Sequence, residues 1–589
     1  MKNKALGLIK KPEIIPLVFI ILLSIFLRTY HFSDWLHFEL DQSRDAKVID
    51  LAIEEGASNL PLLGPKAGGT FLRLGPAFYY FSYFSALVFG NTPSGIAVII
   101  MIFGILAVPL AFLFFRRCFD YKISLALVLV FAVSIFLVMY SRFSWNPNPL
   151  PFFTILAFYA LLRSVDREEK KKGVWLMVFS FSLAIATHLH FLAFVSVPAV
   201  SAVFLIIKRP KIRWYYWAAS VLIVFFLYIP PIINDIKTGG DNFGQFFKVA
   251  EGKSTKDDHN ILEKTIKNYT ENSLGYFLVI SGQEQAELPR VILNSAKNDI
   301  ICDQGCRNNL LPGSIAIAFF SLGWLLLFVR IFREKEAKKK DFLILTALWA
   351  IIVFGLYLPL AFKIAPRFFL LVSAVPFVFL GLMLEYLARK NRLALPLGVI
   401  AVILLAASNV RAIEKRFGEM RDAPSKEFDI DTDKILKERD RVTLLQQYEI
   451  INYIENIYKK NNYPVYVNSE PFYRRSFIYH LEKKNIPRDD FRNSVNASKI
   501  YSRGNYFLIY PTFSNLENDL KKYEKDYEVL EEKKFGTLAV FYLQARPEAV
   551  TDQEQEFEPE GKPKSAPGVP IRYRWEEIFN DSGTDESAE

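Results

Sequence analysis

Long apolar segments alternate with short basic clusters over the first 410 residues. A bilayer hydrocarbon core of about 30 Å needs roughly 20 apolar residues per helix, so we expect about eleven transmembrane helices. They fall near residues 13–29, 95–115, 123–140, 146–163, 173–189, 190–207, 214–231, 311–329, 342–362, 366–387 and 393–409. The first is expected to stay in the mature chain, because no small-x-small cleavage pattern follows it.

Residues 76–90 are also apolar, but the charge pattern argues against another crossing. If this segment lies in the outer interface, every short connection on the inner side is basic, as the positive-inside rule requires. Those connections are 2–11, 116–122, 163–172, 208–213, 330–340 and 389–392. The N-terminus is then cytoplasmic, and the loops 28–94 and 231–310 and everything after residue 410 are extracytoplasmic.

Composition supports a multi-pass protein of the cell membrane. Of the 589 residues, 52% are hydrophobic, and the mean hydropathy is +0.19, which is high for a soluble protein. The formal charge of +10 could suggest a nucleic-acid partner. Its basic residues are spread between the hydrophobic segments rather than pooled, so we expect membrane lipid and no nucleic acid as the partner of these charges.

The pattern changes beyond residue 411. Helical spacing over 442–460 and strand-like segments at 465–467, 506–510 and 538–542 predict a small α/β domain over 411–546. From 547 to 589 the chain is acidic and rich in Pro, Ser and Gly, which predicts a disordered tail with a short helix near 573–579 as its one candidate element. The membrane part, residues 1–410, shows no internal repeat.

Two cysteines, Cys302 and Cys306, lie in the predicted large outer loop. An oxidising compartment favours a disulfide between them, and two free thiols are the alternative. No second Cys or His pair accompanies them, so the sequence indicates no metal site, although a divalent cation is not ruled out as a cofactor. The inner Cys118 is expected to be a reduced thiol.

Ionisable and polar groups collect on the predicted outer face from five separate stretches of sequence, the first two of which lie in the loop 28–94. They are Glu39, Asp41, Arg44 and Asp45, then Arg73 and Tyr79, Arg142 and Asn146, His190, and Arg367. Arginine suits a phosphate because its planar fork donates two parallel hydrogen bonds. Each residue also has a structural interpretation: the acidic stretch as a solvated loop, Arg142 and Arg367 as lipid-headgroup contacts, Tyr79 as part of an aromatic belt, and His190 as an interface residue.

Three motifs on this face resemble bacterial GT-C glycosyltransferases of the dolichyl-phosphate-mannose protein mannosyltransferase type. They are the Asp-Gln-x-Arg-Asp-Ala pattern from Asp41, the Gly-Pro-Ala-Phe-Tyr-Tyr segment at 75–80, and Tyr-Ser-Arg with Trp-Asn-Pro-Asn at 140–148. The resemblance covers roughly residues 10–410 and implies a GT-C-like membrane fold. It also implies that Asp41 is the catalytic base. The family usually has Glu at the next position, where this chain has Gln42, so Asp45 or Glu39 is a candidate for that second carboxylate.

The resemblance implies transfer of a hexose or pentose, mannose being the family's sugar, from a polyprenyl-phosphate donor to an acceptor hydroxyl, with inversion. The acceptor could be a protein, a glycolipid or a cell-envelope polysaccharide. A transporter or flippase of lipid-linked saccharides is the competing hypothesis. Transporters usually place charges and broken helices at the bilayer midplane, whereas these predicted helices carry almost no internal charge.

Overall fold

The computed structural model describes residues 14–68, 70–254, 259–294, 297–390, 395–428, 430, 432–492, 499–555 and 571–580. Its helices are α1 (Ile14–Thr29), α2 (Leu40–Glu55), α3 (Ala77–Phe89), α4 (Pro93–Phe115), α5 (Tyr121–Val133), α6 (Ile135–Tyr140), α7 (Leu150–Val165), α8 (Lys172–Leu189), α9 (Phe191–Lys208), α10 (Trp214–Lys237), α11 (Asp241–Ser254), α12 (Ile261–Ser281), α13 (Gln304–Asn308), α14 (Leu310–Arg333), α15 (Ala337–Tyr357), α16 (Val375–Lys390), α17 (Leu395–Asp422), α18 (Leu444–Asn461), α19 (Arg474–Lys483), α20 (Leu516–Lys521) and α21 (Trp575–Asn580). Short 3₁₀ helices cover Ala57–Asn59, Leu358–Lys363, Pro366–Val372 and Pro547–Ala549.

Seven helices in the described ranges are long and apolar enough to cross a membrane: α4, α8, α9, α10, α14, α15 and α17. The bent pair Pro366–Val372 and Val375–Arg389 supplies an eighth. Three shorter apolar helices, α1, α5 and α7, occupy the remaining predicted positions. Helix α3 is the apolar segment that the charge pattern had excluded from the count. The predicted fold class, a polytopic helical membrane protein with a small α/β domain, is confirmed.

The two long loops that were predicted to be outer, 28–94 and 231–310, contain more structure than the sequence analysis predicted. Helix α2 lies in the first loop, where Glu39 is its N-cap residue and Gly56, at φ +108°, ends it. In the second loop, α12 buries Tyr276, Val279 and Ile280 in the main core. Sequence analysis missed α2 and α12 because each helix is buried on one side only. The charged residues on the other side lower the average hydrophobicity of the segment.

The second loop continues as an antiparallel hairpin of β1 (Arg290–Asn294) and β2 (Lys297–Ile301). Directly after it, Cys302 and Cys306 form a disulfide. The sequence had left free thiols as the alternative.

The C-terminal domain is a five-stranded mixed sheet with helices. Its strands are β3 (Val465–Ser469), β4 (Arg488–Asp490), β5 (Asn505–Pro511), β6 (Tyr527–Phe535) and β7 (Leu538–Ala545), in the spatial order β4-β3-β5-β7-β6. The pairs β4–β3 and β3–β5 are parallel, and β5–β7 and β7–β6 are antiparallel. The central strands are buried. By contrast, the seven inner positions of the edge strand β6 are all exposed.

A buried ionic network joins this domain to the membrane part. Arg416 on α17 donates to Asp433 at 2.8 Å and to Glu438 at 2.5 Å. Arg441 donates to the same two carboxylates at 2.6 and 2.7 Å and to Glu419 at 2.9 Å. We call these five residues the junction network. Both guanidinium groups are at most 5% exposed.

The C-terminal domain also lies directly on the first loop. Gln447 and Ser476 donate hydrogen bonds to the backbone carbonyl of Phe38, at 2.9 and 3.1 Å. Lys483 on α19 pairs with Asp50 on α2 at 3.0 Å. Helix α2 is therefore held between the membrane helices and the C-terminal domain.

Candidate active site

The first turn of α2 presents two carboxylates and a guanidinium on one face. Asp41, Arg44 and Asp45 are spaced i, i+3, i+4, which places them together on a helix. Arg44 donates to Asp41 Oδ1 at 2.8 Å and forks onto both oxygens of Asp45 at 2.9 and 3.0 Å. Asp41 is 38% exposed at its side chain, whereas Asp45 is only 3% exposed. Asp41 is therefore the carboxylate that a substrate could reach.

Burial and ion pairing shift the pKa values of Arg44 and Asp45 in opposite directions. Burial alone would lower the pKa of Arg44, but Asp45 and then Asp41 outweigh it and raise that pKa above its ordinary value. Burial raises the pKa of Asp45, and Arg44 only partly offsets this. The permanently charged guanidinium thus holds the group in one geometry.

Asp41 also contacts the segment that connects α6 to α7. The indole Nε1 of Trp145 donates to Asp41 Oδ2 at 3.2 Å. The guanidinium of Arg367 lies over the same indole ring, 5.3 Å from its centroid. One tryptophan therefore links the carboxylate of Asp41 to the guanidinium of Arg367.

Arg367 is half-buried and forms no ion pair within the described residues. Its nearest feature on the first loop is Gly68, where a Cβ atom would lie 3.9 Å from Arg367 Nη2. The loop that carries Lys66 and Arg73 therefore closes over this guanidinium.

Lys66 and Arg73 face each other across an isolated antiparallel bridge. Arg73 Nη1 donates to the carbonyl of Gly64 at 3.2 Å, and the Asn242 amide binds the Arg73 backbone at both N–H and C=O. Burial, and then the nearby Arg572, lower the pKa of Arg73 to about 10. Arg73 thus lies in an electropositive, partly desolvated corner.

Tyr79, at the start of α3, is buried and donates its hydroxyl proton to Asp45 Oδ1 at 3.0 Å. Arg572, from the C-terminal tail, lies over the Tyr79 ring at 5.6 Å and donates to its hydroxyl oxygen at 3.4 Å. Sequence analysis named Tyr79 but missed Lys66 and Arg572. No local pattern marked either one, because only the folded chain brings them together.

Asn146 and His190 position the backbone beside the site. Asn146 donates to the carbonyl of Leu189 at 2.7 Å, where α8 ends. The His190 ring accepts from Leu192 N–H at 3.2 Å, which caps α9, and its edge contacts Phe368 next to Arg367. Both residues lie at the site, and the contacts described for them are structural.

Arg142 does not act as a phosphate clamp in this structure. It is 5% exposed, and its guanidinium donates to the carbonyls of Leu27, Arg28, Tyr30 and His31 at 2.8–3.3 Å. The last carbonyls of a helix lack intrahelical partners, and Arg142 satisfies those of α1. The sequence analysis had listed Arg142 with Arg367 among the arginines suited to a phosphate, whereas here the Arg142 guanidinium is occupied by backbone carbonyls.

Glu39 pairs with His37 at 3.2 Å, and His37 in turn contacts Glu438 of the junction network at 2.6 Å. Burial would lower the pKa of His37, but the two carboxylates outweigh it and raise it to about 10. Gln42 accepts a hydrogen bond from Glu39 N–H at 3.2 Å, as a capping residue at this position does. Gln42, which stands where the resembling family usually has Glu, thus caps α2 and supplies no carboxylate.

In the described part of the chain, no group of three or more His, Cys, Asp or Glu side chains is placed to hold a metal ion. At this site the cation beside Asp41 and Asp45 is Arg44.

Comparison with known proteins addresses the fold. The sequence model of the family described as dolichyl-phosphate-mannose-protein mannosyltransferase matches residues 74–233. Comparison with curated proteins finds no match. Among solved structures, ArnT from Cupriavidus metallidurans in the apo state has a TM-score of 0.53 at 10% identity, covering 92% of this chain and 99% of ArnT.

The same ArnT bound to undecaprenyl phosphate gives a TM-score of 0.54, again at 10% identity and with coverage of 92% and 99%. The archaeal oligosaccharyltransferase AglB from Archaeoglobus fulgidus gives 0.46 at 12% identity, with 85% of this chain and 69% of AglB covered. The chain therefore shares its overall fold with ArnT. The range matched by the family model includes Tyr79, Asn146 and His190, and the likeness to ArnT extends over both the membrane part and the C-terminal domain.

Proposed function

We propose that the chain is a membrane glycosyltransferase that moves a hexose or pentose from a polyprenyl-phosphate donor to an acceptor hydroxyl on the extracytoplasmic side. The observation that carries the proposal is the arrangement around Trp145. The exposed carboxylate of Asp41 accepts from the indole nitrogen, and the guanidinium of Arg367, which has no carboxylate partner among the described residues, lies over the indole ring. ArnT, which shares this fold, binds undecaprenyl phosphate, and this supports a lipid-phosphate carrier for the donor.

Asp41 is the proposed general base. It removes the proton of the acceptor hydroxyl while that oxygen attacks the anomeric carbon of the donor sugar. The bond from the anomeric carbon to the phosphate oxygen breaks, and the polyprenyl phosphate leaves with the electron pair. A single displacement of this kind inverts the anomeric centre.

The leaving phosphate gains negative charge as its bond breaks, so cations fixed beside it stabilise the transition state more than the ground state. Arg367, Lys66 and Arg73 are the cations that have no carboxylate partner in the described ranges and lie around one loop. Arg44 has a different proposed role, because it is already bound to both aspartates and orients Asp41.

The proposed orientation places the N-terminus in the cytoplasm and the C-terminal domain outside. The C-terminal domain packs on α2, which carries Asp41, so both lie on the same side of the membrane part. The Cys302–Cys306 disulfide, in the loop before α14, agrees with an oxidising compartment on that side. Acceptor candidates remain a protein, a glycolipid or a polysaccharide, and mannose is the first sugar to test.

The test uses purified protein in lipid with radiolabelled polyprenyl-phosphate hexoses or pentoses and a membrane extract as acceptor. Asp41→Asn should lower turnover by roughly 10²–10⁴-fold, the usual contribution of a general base, while thermal stabilisation by polyprenyl phosphate persists. Asp34→Asn, in the same loop but paired with His31, is the matched control and should keep full turnover. Equal turnover of Asp41→Asn and wild type would remove Asp41 from the mechanism. Movement of the lipid-linked sugar across vesicles without transfer would favour a flippase.

A further inference from the structure

The C-terminal segment 571–580 is far from the site in sequence but docks directly on the first loop. Leu62 N–H donates to the carbonyl of Tyr573 at 2.9 Å, and Pro61 and Arg574 form an antiparallel bridge. The Trp575 indole donates to the hydroxyl of Tyr80 at 2.9 Å. Backbone and side chain together fix this segment, which we call the strap.

A buried asparagine is matched to the strap. Asn234, near the end of α10, is fully buried. Its amide nitrogen donates to the carbonyl of Ile571 at 3.2 Å, and its oxygen accepts from Tyr573 N–H at 2.9 Å. A buried amide left without partners costs about 1–3 kcal/mol. The strap therefore supplies hydrogen-bond partners for both the amide nitrogen and the amide oxygen of this buried side chain.

The strap brings one charge into the site. Between the two backbone contacts to Asn234, Arg572 extends over Tyr79, whose hydroxyl is bound to Asp45. Arg572 is close enough to Lys66 and Arg73 to lower the pKa of both, after the larger effect of burial. Among the described residues none of these three cations pairs directly with a carboxylate, and a bound anion would relieve the repulsion between them.

We propose that Arg572 is a donor-phosphate ligand supplied by the strap, which completes an anion site with Lys66 and Arg73. This inference rests on the proposed function for the identity of the donor, a polyprenyl phosphate. It adds a residue outside the membrane part, and it makes donor binding depend on docking of the C-terminal segment.

Docking is tested without any enzyme assay. In the double variant Pro61→Cys with Arg574→Cys, the paired positions have the close Cβ spacing of antiparallel neighbours, which suits a disulfide. Mass spectrometry of the full-length protein after mild oxidation should find the 61–574 linked peptide. The two single-cysteine variants are controls. Absence of the link in the double variant would overturn the docked strap whatever the activity.

Phosphate binding is tested by thermal stabilisation with undecaprenyl phosphate, inorganic phosphate and dephosphorylated polyprenol. Arg572→Ala should raise the concentration of undecaprenyl phosphate needed for half-maximal stabilisation by roughly tenfold, as expected for loss of a hydrogen bond between charged groups. It should also weaken any effect of inorganic phosphate and leave that of polyprenol unchanged. Arg572→Lys should recover part of the loss. Arg503→Ala, an exposed charge on the C-terminal domain, should behave as wild type.

Two outcomes separate the two proposals. If Asp41→Asn retains turnover but Arg572→Ala weakens binding of undecaprenyl phosphate, the mechanism fails and the strap site stands. If Arg572→Ala binds undecaprenyl phosphate as wild type does, or loses polyprenol binding equally, the strap proposal is overturned. In a working transferase, Arg572→Ala should raise the KM for the donor about tenfold with a smaller change in kcat.

Discussion

Two charged regions of this molecule differ in whether their cations are paired with carboxylates. In the junction network every arginine faces carboxylates, and the charges are buried and paired. Around the first turn of α2, only Arg44 is paired, while four other cations in the described residues have no carboxylate partner. They are Lys66, Arg73, Arg367 and Arg572. Charges that neutralise each other hold two parts of the fold together, whereas charges in excess favour binding of an anion.

The largest expected effect comes from breaking the paired region. Arg441→Ala leaves the buried Asp433 and Glu438 short of a partner, and such a loss costs about 3–5 kcal/mol. Chemical unfolding of the purified protein should show a destabilisation of this size. Arg421→Ala, whose side chain is 71% exposed, should change stability by less than about 1 kcal/mol. Equal stability of Arg441→Ala and wild type would contradict the contrast between the two regions.

The second prediction compares Arg142 with Arg367, two arginines that the sequence analysis gave the same alternatives. Arg142→Gln removes the cap from the end of α1 and should lower stability by about 2–3 kcal/mol. Arg367→Gln should unfold as wild type does but lose roughly 10²–10³-fold in turnover, because it removes charge stabilisation at the leaving phosphate. Lys363→Gln, from the exposed preceding 3₁₀ helix, is the control and should retain both properties. A stable, inactive Arg142→Gln would return Arg142 to the site.

The smallest effect is a pH dependence at the edge of the junction. Asp440 is buried beside this network without being paired into it, and burial, then Glu470 and Glu438, raise its pKa from 3.8 to about 8. The native state therefore keeps this proton where the unfolded chain has lost it. Its contribution to stability is full below pH 3.8 and is lost as the pH rises through about 8.

Melting temperatures at pH 6 and pH 8.5 test this assignment. The wild type should lose more stability over that interval than Asp440→Asn. The exposed carboxylate Glu517, 79% exposed, gives the control Glu517→Gln, which should follow the wild type. Identical pH profiles of Asp440→Asn and wild type would refute the raised pKa.

The sequence predicted the membrane part well because hydrophobic length is a direct consequence of bilayer thickness. It also placed β3, β5 and β7, whose burial makes their composition apolar and β-branched or aromatic. It missed β6, since five of the seven exposed positions of this edge strand are Glu or Lys and the strand lacks an alternating apolar pattern. It treated the Asp41 segment as a loop, because helix α2 is too polar to show a hydrophobic period.

Sequence motifs singled out the residues of α2 and Tyr79, and Arg367 was listed for its place in a predicted outer connection, but none of these patterns indicated the contacts of the side chains. Whether an arginine faces a phosphate or a helix end depends on tertiary structure, and Arg142 shows that the same residue type in the same kind of connection can have the second role. Arg572 could not have been found locally at all. Its position depends on the docking of the strap, and one of the residues that bind the strap, Asn234, lies more than 300 residues earlier in the chain.

The exposed strand β6 has a consequence for copies of this protein that share one membrane. Strand edges recruit other strands, and anchoring in a plane raises the rate of such encounters. Five of the seven exposed positions of β6 are glutamate or lysine, and these charges are costly to desolvate. They disfavour pairing of this edge with the same edge of a neighbouring molecule.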